Sequence, residues 1–175
     1  MALAPLVTMP DAERLVIDAL IADPDLTALV AGRVYGVIPN AKVFPLIRVV
    51  RWGGQMLDDG DPYWSDAPAL QIDTWAERKA EAVSVAEVVR AVCAQRLPGR
   101  HPTGVVAGVG VGTSVYDPDP EFSPAKPRVR LALDLVTRPS SAPAPPGARV
   151  LHLPAAAAPR PVNQTGPSPV GRESR

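Results

Sequence analysis

One cysteine, two histidines, few aromatics and no net charge set the first limits on this chain. A lone Cys93 rules out a disulfide within the chain and a cysteine-rich metal site, and it fits a reducing compartment. His101 lies in a Pro/Gly segment and His152 in a proline-rich tail, and neither has a second His or Cys at metal-ligand spacing. Neither stands near a serine in a nucleophile-elbow context, so the expectation is no enzyme, no metal and no cofactor. No stretch approaches the ~20 apolar residues of a membrane helix. The opening "MALAPLVTMPDAER" has no basic segment ahead of an apolar one, so no signal peptide or membrane association is expected. With 18 basic and 18 acidic residues, the total charge does not suggest a nucleic-acid binder.

Proline is what the chain has in excess. Its 22 prolines in 175 residues compare with a usual share of about one in twenty. Nine of them fall after residue 138, in "PSSAPAPPGARVLHLPAAAAPRPVNQTGPSPVGRESR", which shows no periodicity. The expected organisation is one domain over residues 1–138 and an extended interaction tail over 139–175. The neutral total conceals an asymmetry. From Arg138 onward five arginines face one glutamate, whereas the body before it holds 13 basic and 17 acidic residues. That is either an arrangement for interaction or an exposed tail that simply needs polar residues. "ARVLHLP" is the tail's one apolar patch, able to add as an edge strand or fill a groove.

Within the body, apolar residues at Ala12, Leu15, Val16, Ala19 and Leu20 repeat with helical spacing, after a Thr8–Asp11 pair that resembles a capping box. Asp23-Pro24 opens a second short helix through Leu26, Leu29 and Val30, closed by Gly32. "RVYGVIP" and "FPLIRVVRW" read as strands, and residues 53–68 as a turn-rich loop. "ALQIDTW" is a third strand, with Thr74–Glu77 as the capping box of the next helix. That helix has an apolar stripe of Ala82, Val85, Ala86, Val89, Val92 and Cys93, ends at "LPGRHP", and carries Val83 and Val88 off the stripe. "TGVVAGVGVGTSVY" and "PRVRLALDLVTR" complete the pattern as strands. The predicted class is α+β: a mainly antiparallel sheet with two main helices on one face, in the order α-(α)-β-β-β-α-β-β.

Motifs that would carry chemistry are weak. The glycines of residues 108–114 lack the lysine of a phosphate loop and open no helix, so they read as room for a bulge or a close neighbour. Asp58, Asp59, Asp61 and Asp66 lack the spacing of a calcium loop and read as turn residues. Cys93 reads as a small buried hydrophobe. Trp52, Tyr63, Trp64 and Trp75 gather around one loop; Trp75 reads as packed core, while Trp64 and Tyr63 read as interface anchors. Val83, Val88, Val150, Leu151 and Leu153 join them as interface candidates. Asp73, Trp75 and Glu77, which resemble the lip of an active site, read as a strand-to-helix junction.

Two motifs in order carry a resemblance. "ADPDLTALVAGRVY", followed by the strand from Pro45 to Val50, and then "QIDTWA" are similar to the tail terminator (tail-to-head joining, tail completion) family of long-tailed phages, over roughly residues 11–137. The matching positions are Ala22, Asp23, Pro24, Leu26, Leu29, Val30, Gly32, Arg33, Val34 and Tyr35, then Gln71, Ile72, Asp73, Trp75 and Ala76. The proline-rich tail departs from the pattern. The resemblance implies a structural virion protein, assembled in the host cytoplasm, that forms a hexameric ring. Such a ring caps the tail tube, joins it to the head connector and lets genome DNA pass without specific binding. A head-closure or neck adaptor is the nearest alternative. A small metal-dependent enzyme using the acidic loop, and a monomeric binding module using the tail, belong to other classes.

Overall fold

The computed structural model describes residues 8–57 and 65–140. Tyr63, Trp64, His152, Val150, Leu151, Leu153 and the aspartates at 58, 59 and 61 lie outside the described residues. The elements run α1 (Ala12–Ala22), α2 (Pro24–Val30), β1 (Val34–Tyr35), β2 (Leu46–Leu57), β3 (Ser65–Trp75), α3 (Lys79–Gln95), β4 (Gly99–His101), β5 (Gly104–Tyr116) and β6 (Arg128–Arg138). They form one six-stranded sheet in the order β1-β2-β3-β6-β5-β4, antiparallel except where β1 runs parallel to β2. The helices share one face of the sheet, so the α+β architecture expected from the pattern is the one observed.

The core lies between these layers. Leu70 and Ile72 of β3 meet Leu131, Leu133 and Leu135 of β6, and the helices supply Leu15, Val16, Leu20, Val85, Val89 and Cys93. The predicted stripe of α3 is buried at all six positions. Burial also pushes the Cys93 thiol up to about 12, so it packs as a small hydrophobe and not as a thiolate.

Several local expectations are corrected. Thr8 does not cap α1; Asp11 does, its carboxylate accepting from the Arg14 N–H, and Pro10 precedes the helix. Thr74 does not cap α3, because β3 runs on to Trp75 and the N-cap is Arg78, with no side-chain bond. Glu77 is drawn instead to Lys126 Nζ at 2.8 Å. The left-handed residue that ends α2 is Ala31, with Gly32 following at positive φ. "RVYGVIP" shrinks to the two residues of β1.

The largest correction concerns residues 53–68. Most of this expected loop is strand: β2 and β3 remain paired out to Leu57 and Ser65, with a bulge at Trp52. Gly54 makes this possible. It sits at φ +112, and a Cβ there would lie 2.3 Å from the Ala67 carbonyl. "GRH" adds the unforeseen β4, a hairpin with β5 turned by Pro102-Thr103.

Replacing Asp11 by Ala removes the cap and is expected to lower unfolding stability by about 1 kcal/mol, while Thr8→Ala changes it little. Denaturant titration of the two variants checks which residue starts the helix.

Candidate functional site

Strand alternation gives the sheet two unlike faces. Ile47, Val49, Leu70, Ile72, Thr74, Leu131 and Leu133 point toward the helices. Arg48, Gln71, Asp73, Trp75, Arg128 and Arg130 point to the other face, which none of the helices among the described residues covers. Polar groups on that face must be satisfied laterally, by one another.

They form a charge lattice. Asp73 is fully buried. It pairs with Arg48, accepts from Gln71 Nε2 at 2.8 Å and lies 3.8 Å from Arg130 Nε. Asp117, just beyond β5, receives Arg130 and Arg128, each at 2.9 Å. Arg128 also reaches Asp119 at 3.2 Å, and Asp119 accepts the Trp75 indole N–H at 2.9 Å. The Trp75 ring is flanked by the guanidiniums of Arg48 and Arg128, 5.3 and 5.7 Å from its centre. Burial alone would raise the Asp119 carboxyl. The Trp75 bond, the Glu121 N–H and the charges of Arg128 and Arg130 together hold it below the usual carboxylate range.

Next to the lattice lies a shallow open trough of about 440 Å³, lined by Trp52, Gln71, Val115, Tyr116, Arg130 and Ala132. Trp52, on the bulge, is 68% exposed. The sheet also has two incomplete edges. β4 pairs only with Gly104, Val105 and Val106, and among the described residues nothing hydrogen-bonds to the outer edge of β5 beyond them. β1 pairs only with Ile47 and Arg48 of β2, and beyond them, among the described residues, Glu13 accepts the outward Arg51 N–H at 3.1 Å.

This arrangement assembles charge pairs and surfaces. Among the described residues no three His, Cys, Asp or Glu gather as a metal site. The His101 Nε2 lies 2.8 Å from the Leu97 carbonyl, and Asp66 is held by both terminal nitrogens of Arg51. The glycines of residues 108–112 lie inside β5 and line no phosphate loop. Trp75 is buried, as expected, but on the face away from the helices, while Val83 is exposed on α3 and Val88 is half-buried against the core.

The chain matches the family described as tail completion protein gp17 over residues 14–134. It belongs to that family. Membership makes it a structural protein of a phage-type tail and a virion component, and a structural family of this kind argues against an enzyme. No curated protein matches it. Among solved structures, it is similar to a chain of the virion of a native gene transfer agent particle. The two are 18% identical, with a TM-score of 0.56 over 73% of this chain and 94% of that one; the likeness shows the fold.

Sequence reasoning placed the junction residues of this tail completion protein correctly but missed its lattice. The signal was present in "RVRLALD", where Arg128 and Arg130 alternate with the apolar positions and so share the opposite face, and in Arg48, set between Ile47 and Val49.

Asp119→Asn is expected to cost about 1–3 kcal/mol at neutral pH, because Arg128 and the Trp75 N–H lose a charged acceptor. The Asp119 carboxyl is depressed in the folded chain, so its stabilisation is complete above about pH 4 and is lost as pH falls through its lowered value. The variant should therefore lose less stability than the parent between neutral pH and that acid range, as read from unfolding midpoints across pH.

Proposed function

We propose that this tail completion protein acts as a tail terminator. A hexameric ring of it caps the finished tail tube, stops further polymerisation and presents a surface to the head connector or head-closure protein. Family membership over residues 14–134 carries the reading. Support comes from a sheet whose edges, among the described residues, are left largely unpaired at both ends, a condition that a closed ring relieves. The likeness to a chain of a gene transfer agent virion is in keeping with a place in such a particle.

In this reading assembly takes place in the host cytoplasm, and genome DNA passes through the ring without being held. The excess of 17 acidic over 13 basic residues before Arg138 suits that passage, since a like-charged wall does not grip a duplex. Val83, exposed on α3, and Val88 beside it are candidates for contact with other subunits. Tyr63, Trp64 and the tail residues Val150, Leu151 and Leu153 are further candidates, with the tail docking on a neighbour.

Mass measurement of the purified protein should give a hexamer, or a monomer that becomes a ring when tail tubes are added. A ring that binds head connectors and ignores tubes would move the protein to a head-closure or adaptor role. A strict monomer indifferent to both would overturn the proposal. Removing residues 139–175 is expected to leave the domain folded and to weaken docking in the same assay.

A further inference from the structure

The two incomplete edges match each other. On β2 the Ile47 N–H donates outward to the Arg33 carbonyl and the Arg51 N–H outward to Glu13. Antiparallel ladders alternate. The backbone groups of Val49 and Arg51 therefore face out, and past the bulge at Trp52 so do those of Gly54 and Met56. On β5 the Asp117 N–H points inward to the Arg128 carbonyl. The same alternation turns Tyr116 and Ser114 outward, and past the second bulge Val111 and Val109. The outward positions are thus 49, 51, 54 and 56 on one edge and 109, 111, 114 and 116 on the other. Both series step by two, three and two, because each edge carries its bulge in the middle.

Direction and ends agree as well. β2 and β5 run antiparallel across the sheet. Setting Val49 against Tyr116 and Met56 against Val109 leaves β1 beyond one end of the paired stretch and β4 beyond the other, so the short edge strands do not collide. The charges fit this register too. Across the open face the lattice reads Arg48, Asp73, Arg130, Asp117 from β2 to the end of β5. With Val49 opposite Tyr116 the ladder stops one residue short of Arg48, whose edge is filled by Tyr35 of β1, and Asp117 follows Tyr116 at that same end, so the acidic margin of one copy comes up to the basic margin of the next.

From this match we infer that the free edge of β5 pairs with the free edge of β2 of a second copy of this chain, antiparallel and in that register, making one sheet continuous through successive subunits. The contact is head-to-tail, and its closing into a ring rests on the proposed function. Glu13, which holds the Arg51 N–H in the single chain, is the group displaced by the incoming strand. The β5 edge has no proline, lysine or other charge over residues 107–116 to discourage such pairing.

In this register Val50 lies opposite Val115 on the open face, and the native Cys93 is buried. The full-length Val50→Cys/Val115→Cys variant, oxidised with and without tail tubes, should give a ladder of disulfide-linked oligomers on a non-reducing gel. Each single variant should stay monomeric. Ladders that never close into rings would support the edge pairing and overturn the ring. Rings without cross-links would overturn the edge pairing and keep the ring, and a monomer in every condition would overturn both. Dimers from Val115→Cys alone would replace the inference with β5-to-β5 pairing. As a second variant, Ser114→Pro removes an outward N–H and spares the β5–β6 ladder. It should fold as the parent does, by its unfolding midpoint, and associate about tenfold more weakly, as the loss of one hydrogen bond implies. Unchanged association would count against the pairing.

Discussion

Asp73 sits fully buried in the middle of the sheet face opposite α1, α2 and α3, paired with Arg48 on one neighbouring strand and facing Arg130 on the other. A carboxylate there is tolerable only with its charge met and its lone pairs used, since an unpaired buried charge is costly. Those requirements propagate. Arg130 and Arg128 both need Asp117, Arg128 also needs Asp119, and Asp119 fixes the indole of Trp75. The lattice thereby ties the register of four strands to the connection between β5 and β6. It does for the open face what apolar packing against the helices does for the other.

A lattice of this kind behaves differently from a core. Apolar packing closes on itself, whereas alternating charges leave an Arg at one margin and an Asp at the other. Arg48 remains about one-third exposed and Asp117 somewhat more. The same incompleteness appears in the backbone, where β1 and β4 cover only the first residues of β2 and β5. Edges left this bare invite pairing with another chain, and membership in a tail completion family gives such pairing a purpose.

Where periodicity speaks, the sequence was readable. The stripe of α3 led directly to the buried face found in the structure, and in the predicted strand "PRVRLALDLVTR" the alternating Val129, Leu131, Leu133 and Leu135 are all buried. The helix starts were less legible, because Ser, Thr, Asp and Glu near a start offer several caps and tertiary context selects one. Asp11 won over Thr8, and Lys126 drew Glu77 away from the chain's own amides. The long β2–β3 hairpin was hidden because Gly53, Gly54 and Pro68 look like turn residues. In the structure Gly54 sits beside the bulge, and Pro68 lies at a position where β3 has no N–H to lose to β2. The charge lattice was hidden for another reason, since arginine and aspartate on an exposed-looking strand face read as solvated until the neighbouring strands are known.

The inferred assembly depends on the continuation of this sheet by another copy of itself. Residue-resolved amide hydrogen exchange on the free and assembled protein tests it most directly. The outward amides of Val111, Ser114 and Tyr116 should exchange quickly in the free chain and become protected on assembly, together with those of Gly54 and Met56. Protection confined to the exposed surface of α2 and α3, with these five amides still exchanging freely, would contradict it.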